Sequence, residues 1–100
     1  MDNLEKVDHV AIAVHDIESA VNWYQTSSKC KVIYQDELQA ILEYKNVKLQ
    51  LVMPSYLPPH IAFSREDAQT LGELRKRADG TNSCFLSDSS GNPVEIVKPL

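Results

Sequence analysis

Two stretches of this sequence begin alike and two end alike, and that internal symmetry restricts the fold more than any other feature. Asp8-His9-Val10-Ala11-Ile12-Ala13-Val14 and Pro59-His60-Ile61-Ala62-Phe63-Ser64 each place a histidine at the head of a short β-branched or aromatic run. Residues 47–54 and 93–99 each hold an amide or carboxylate side chain, Gln50 or Glu95, four positions before a proline in an apolar run. His9 and Gln50 lie 41 positions apart, His60 and Glu95 35. A repeat at this interval describes two half-domains, each opening on His and closing on Gln or Glu. One hundred residues suffice for one core, so 1–100 is expected to be a single domain. Its modules are expected over about 5–54 and 59–100.

Hydrophobic periodicity gives the elements. Residues 7–14 read as a strand. Asp16 is positioned to cap a helix carrying Ile17, Ala20, Val21 and Tyr24 at helical spacing and ending near 27–29. Residues 31–35, 38–44 and 47–53 read as three strands, the last two joined by a tight turn at Lys45-Asn46. In the second half 60–63 is a strand. Ser64-Arg65-Glu66-Asp67 has the capping-box form, and Ala68, Leu71, Leu74 and Ala78 predict a helix running to Gly80. Residues 82–87 and 93–98 are strands joined by a turn at Ser89-Ser90-Gly91-Asn92. The order is βαβββ followed by βαββ, an α+β class with a shortened second module.

Charge narrows the function. The net charge is −4, which speaks against nucleic acid or an anionic membrane as partner. No apolar run reaches the length of a membrane span, and the N-terminal MDNLEK has no apolar signal core, so a cytoplasmic protein is expected. Cys30 and Cys84 lack metal-binding spacing and read as small apolar residues.

Strand parity then selects the candidate site. Leu49 and Leu51 share one face of their strand and Lys48, Gln50 and Val52 the other. His9 sits beside the small Ala11 and Ala13, and His60 has Ala62 two positions on. Taken singly, each of these polar residues has an ordinary structural explanation; their paired placement in both halves favours a joint role. His9, Gln50, His60 and Glu95 together offer two imidazoles, an amide oxygen and a carboxylate. That donor set suits one divalent transition metal, Ni, Co, Zn, Fe or Mn, better than Ca or Mg.

The segments VDHVAIAVHDIESAVNWY, KLQLVMP, HIAFSRED and DSSGNPVEIVKP together make the chain resemble the vicinal oxygen chelate superfamily of glyoxalases, bleomycin-resistance proteins and dioxygenases. The resemblance spans nearly the whole chain. It implies two βαβββ modules whose mixed sheet curls around a metal pocket, with helices outside. It places the metal ligands at His9, Gln50, His60 and Glu95, a combination most similar to methylmalonyl-CoA epimerase-like members. The chain departs from the family in its short second half, which leaves the module one strand short, and in Gln39, at a place where the epimerases carry a catalytic carboxylate.

The resemblance implies a metal-dependent isomerase, lyase or epimerase that binds a small 2-oxo or thioester substrate through neighbouring oxygens and stabilises an enediolate. Glu95 and Glu43 are the candidate general bases. A tight turn at 45–46 pairs Glu43 with Lys48, which also suits a surface ion pair. The alternative is a non-catalytic small-molecule binder of the bleomycin-resistance kind. A homodimer is expected, since the fold often dimerises and a missing strand leaves a sheet edge to cover.

Overall fold

Asp16 starts the only α-helix among the described residues, and it does so through its side chain: the carboxylate accepts the Ser19 N–H at 2.9 Å. The computed structural model describes residues 3–100. It contains β1 (Lys6–Ala13), α1 (Ile17–Ser27), β2 (Lys31–Gln35), β3 (Gln39–Glu43), β4 (Lys48–Val52), β5 (His60–Ser64), a 3-10 turn (Ala68–Thr70), β6 (Arg75–Lys76), β7 (Asn82–Ser87) and β8 (Pro93–Lys98). Two compact units emerge. One is His9–Pro59; the other is His60–Leu100 together with the N-terminal segment through Asp8. No helix is long and apolar enough to cross a membrane.

In the first unit the strand order is β2-β3-β4-β1. β2 pairs antiparallel with β3, β3 antiparallel with β4, and β1 parallel with β4. The helix covers one face. Ile17 and Val21 pack with Ala40, Leu42 and Leu51, flanked by Ile12, Val14, Leu49 and Tyr24. The opposite face carries His9, Ala11 and Ala13 on β1, Lys48, Gln50 and Val52 on β4, and Gln39, Ile41 and Glu43 on β3, as period-two alternation requires. The helix ends where Ser28 folds back: its N–H and hydroxyl both bond the Tyr24 carbonyl, at 2.9 and 2.8 Å, and its hydroxyl lies 2.6 Å from the Tyr44 hydroxyl. A register shift between Val32 and Tyr34 puts an irregularity into β2.

The second unit repeats the order as β5-β8-β7-β6, again with the parallel pair, β5 and β8, at one end. Its apolar face is smaller. Ala68, Cys84 and Ile96 form the buried group, with Phe63, Leu74, Leu86 and Val94 against it. The turn before β8 is tied by Asp88, which accepts the Ser90 and Asn92 N–H groups at 2.8 and 2.9 Å and the Asn92 side-chain amide at 2.9 Å. Gly91, at φ 85°, supplies the left-handed backbone this turn needs.

The second helix expected over 68–78 is not formed, and the shortening of the second module falls there rather than on its strands. The segment makes one 3-10 turn and then extends into β6, which pairs with β7 through Arg75↔Ser83 and Lys76↔Asn82. Three physical reasons converge. The Asp67 carboxylate is held in a two-pronged grip by Arg65, at 2.8 and 2.8 Å, and makes no cap to the turn that follows. Gly72, mid-way along the expected helix, disfavours helix by about 1 kcal/mol. It also approaches β7 so closely that a Cβ there would stand 3.2 Å from the Cys84 side chain. The extended path then hydrogen-bonds the edge of β7, so the argument for a homodimer from a missing strand loses its premise.

Leu51 is fully buried beneath α1. Leu51→Ala is expected to destabilise by about 2–5 kcal/mol, read as a lower urea midpoint at unchanged slope. Asp88 is held below the usual carboxylate range, first by the Asn92 side chain and then by the Asn92 and Ser90 N–H groups. Because its folded value lies below its unfolded value, its contribution is present above about pH 4 and is lost as pH falls through the folded value. Asp88→Ala should therefore flatten the acid limb of a stability–pH curve while leaving the neutral-to-alkaline shape unchanged.

Candidate functional site

The polar face of the second unit is built by register. Ala62 on β5 stands opposite Glu95 on β8, and Glu95 opposite Phe85 on β7. His60, at the head of β5, shares that face with Ala62 two positions on, and Ser83 shares it with Phe85. The consequence is a buried polar group: His60 is 6% exposed, Glu95 4% and Ser83 0%. The His60 ring Nε2 lies 2.9 Å from Glu95 Oε1, and the Ser83 hydroxyl donates to Glu95 Oε2 at 2.6 Å. Arg77 follows, donating from Nε to Ser83 Oγ at 2.7 Å and from Nη2 to the Ser83 carbonyl at 3.2 Å. The His60 ring stands edge-on to Phe85, with centroids 4.9 Å apart and planes at 83°.

In the first unit Gln50 lies on β4, and β1 is its parallel neighbour, with Ala11↔Gln50 and His9↔Lys48 in register. His9 and Gln50 therefore project from the same face of adjacent strands. Gln50 is 5% exposed. Its Nε2 donates to Gln39 Oε1 at 2.6 Å, while Gln39 donates to the Tyr56 hydroxyl at 3.3 Å. This arrangement fixes which way the Gln50 amide points, and it leaves Gln50 Oε1 buried with no hydrogen-bond partner. Such an oxygen costs roughly 1–3 kcal/mol when left unmatched. A cation bound to it would remove the deficit.

Each half thus brings its own expected pair together: His60 with Glu95 in direct contact, and His9 with Gln50 on neighbouring strands. Glu43 stands in register between Lys31 and Lys48. It is exposed and forms no ion pair among the described residues, so the cross-strand bridge to Lys48 is not made. Both oxygens of Glu95 are engaged, one by His60 and one by Ser83. Reading the sequence missed Ser83, Phe85 and Arg77. The first two were reachable by counting back across the turn from Glu95, since Ser87↔Pro93 fixes Phe85↔Glu95. Arg77 was hidden by its assignment to a helix.

The Gln39–Gln50 bond gives a direct test. Gln39→Leu should cost about 1–3 kcal/mol by leaving the Gln50 amide N–H unmatched. Gln39→Leu combined with Gln50→Leu should cost clearly less than the sum of the single changes, measured by urea unfolding of all four proteins.

No family model matches the sequence, and neither does any curated protein. Solved structures do match. A methylmalonyl-CoA epimerase in complex with methylmalonyl-CoA and NH4+ is 23% identical, with TM-score 0.77 over 96% of this chain and 95% of that one. A hypothetical protein from Bacillus halodurans is 22% identical, with TM-score 0.75 over 96% and 95% of the two chains. A glyoxalase/bleomycin resistance protein/dioxygenase superfamily member from Vibrio splendidus is 12% identical, with TM-score 0.69 over 96% and 100%. With its tandem modules, repeated strand order and these structural neighbours, the chain has the vicinal oxygen chelate fold.

Proposed function

We propose that the protein is a metal-dependent isomerase, lyase or epimerase, and that His9, Gln50, His60 and Glu95 hold one divalent transition metal. The observation that carries this reading is the buried, unmatched Gln50 Oε1. An amide oxygen kept free of hydrogen bonds by a neighbour that occupies its own N–H is prepared as an oxygen donor. The second support is the facing of His60 Nε2 and Glu95 Oε1 at 2.9 Å, two atoms of kinds that both bind metals. Two imidazoles, a carboxylate and an amide oxygen fit Ni, Co, Zn, Fe or Mn.

When bound, such an ion supplies positive charge beside substrate oxygens and so favours loss of a proton from the adjacent carbon. The remaining work belongs to the chain. Gln39 orients the Gln50 amide. Ser83 donates to the second Glu95 oxygen, which supports a ligand role for Glu95 beside its role as a candidate general base. Glu43, exposed and in register between Lys31 and Lys48, is the other carboxylate proposed as general base. The neighbouring epimerase structure holds methylmalonyl-CoA, so a CoA thioester is the first substrate to offer, with the glutathione adduct of methylglyoxal as the second. The proposal includes a cytoplasmic location and a homodimer, the latter resting only on the habit of the fold and checked by sedimentation of the purified chain.

Protein purified without a histidine tag is expected to take up one equivalent of Ni, Co, Zn, Fe or Mn, and to lose it in His60→Ala and in Gln50→Leu. A wild-type chain that stays metal-free when offered all five ions overturns the reading in favour of a binding protein. On metal-loaded protein Glu43→Gln should lower kcat by about 100-fold or more at unchanged metal content. Unchanged turnover would remove Glu43 from the mechanism.

A further inference from the structure

Glu95 is buried, and what surrounds it forms a closed circuit within the second unit. His60 meets one carboxylate oxygen and Ser83 the other. Arg77 donates to Ser83 Oγ, and its guanidinium lies 5.2 Å from the centroid of Phe85, the same ring that meets the edge of His60. We propose that Arg77 is a positioning residue for Glu95: acting through Ser83, it locks Oε2 and leaves Oε1 as the single carboxylate oxygen offered to an ion. This rests on the metal reading above and deepens it.

The argument is one of donors and acceptors. A guanidinium has only N–H donors, and an ionised carboxylate has only acceptors. A hydroxyl placed between them at 2.7 and 2.6 Å has one orientation: it accepts from Arg77 and gives its proton to Glu95. The Ser83 rotor is therefore set by its neighbours. Without Arg77 that hydroxyl is free to turn, and Oε2 loses its fixed partner. Arg77 is itself well anchored. Its Nη2 holds the Ser83 carbonyl, its backbone N–H donates to Thr81 at 2.7 Å, and the Gly80 N–H donates back to its carbonyl at 3.0 Å. Its Nε also lies 3.9 Å from Glu95 Oε2, close enough to balance a carboxylate that is almost wholly out of water. Lysine cannot substitute, because one ammonium does not reach the hydroxyl and the carbonyl together while lying over the ring.

The chemistry that follows is selective. A carboxylate with one oxygen locked presents a single donor atom, which suits the smaller transition ions, whereas calcium prefers carboxylates free to grip with both oxygens. Residues that fix ligands in this way typically change metal affinity by about 10–100-fold when removed.

The experiment titrates full-length protein with CoCl2 and follows visible absorption, for wild type, Arg77→Met, Arg77→Lys and Ser83→Ala, with Arg75→Met as control. Melting temperatures are recorded for each. Arg77→Met, Arg77→Lys and Ser83→Ala are expected to weaken Co2+ binding about 10–100-fold and to alter the band shape, while Arg75→Met behaves as wild type. Folded variants that bind Co2+ with wild-type affinity and spectrum overturn the proposal. A wild-type chain that takes up no Co2+ overturns the metal reading instead. In that event the positioning claim is decided by 15N NMR of the metal-free histidine rings. Ser83→Ala, the milder change, should shift the His60 resonances, and an unmoved His60 signal overturns it.

Discussion

Everything in this chain depends on strand parity. Along β4 the side chains of Leu49 and Leu51 go to the helix and those of Lys48 and Gln50 go the other way. Along β8 Val94 and Ile96 go to the smaller apolar group and Glu95 goes opposite, with Val97. A slip of one residue in either ladder would bury a glutamine or glutamate among leucines and expose the core. The hydrophobic effect on one face therefore holds the polar chemistry on the other in register. Parity decides which face Gln50 and Glu95 occupy, and Gln39 and Ser83 then fix how their polar atoms are turned.

The two halves use this constraint unequally. The first carries a full helix over its apolar face and presents an amide whose direction is set by a second amide. The second covers its apolar face with one 3-10 turn and a few side chains, yet it has the denser polar network. Where the helix is lost, the chain gains β6 and the Arg77 hairpin. The economy in packing and the elaboration around Glu95 come from the same residues.

Most of the architecture was legible in the sequence because it follows from short-range signals. Asp16 caps α1, Lys45-Asn46 closes β3 onto β4, and Glu43 pairs with Lys48, all as spacing predicts. The absent second helix was not legible. Its capping residues and apolar stripe were in place, and what defeated it was side-chain geometry that spacing does not show: Arg65 occupying the nearby Asp67 carboxylate, and the close approach of Gly72 to the sequence-distant Cys84. The candidate ligands were visible as a repeat, but their supports were not. Gln39, Ser83 and Arg77 are ordinary polar residues until the ladders put them beside Gln50 and Glu95.

The irregular pairing at Val32 and Tyr34 has a bearing on solubility. β2 ends the strand order of the first unit, and an uninterrupted outer strand is a template on which other chains can stack. An extra residue breaks the spacing of outward N–H and C=O groups and increases the local twist. A fibril-like stack needs a long, flat row of such groups. Here the row is cut within five residues, which makes this edge a poor template for such stacking.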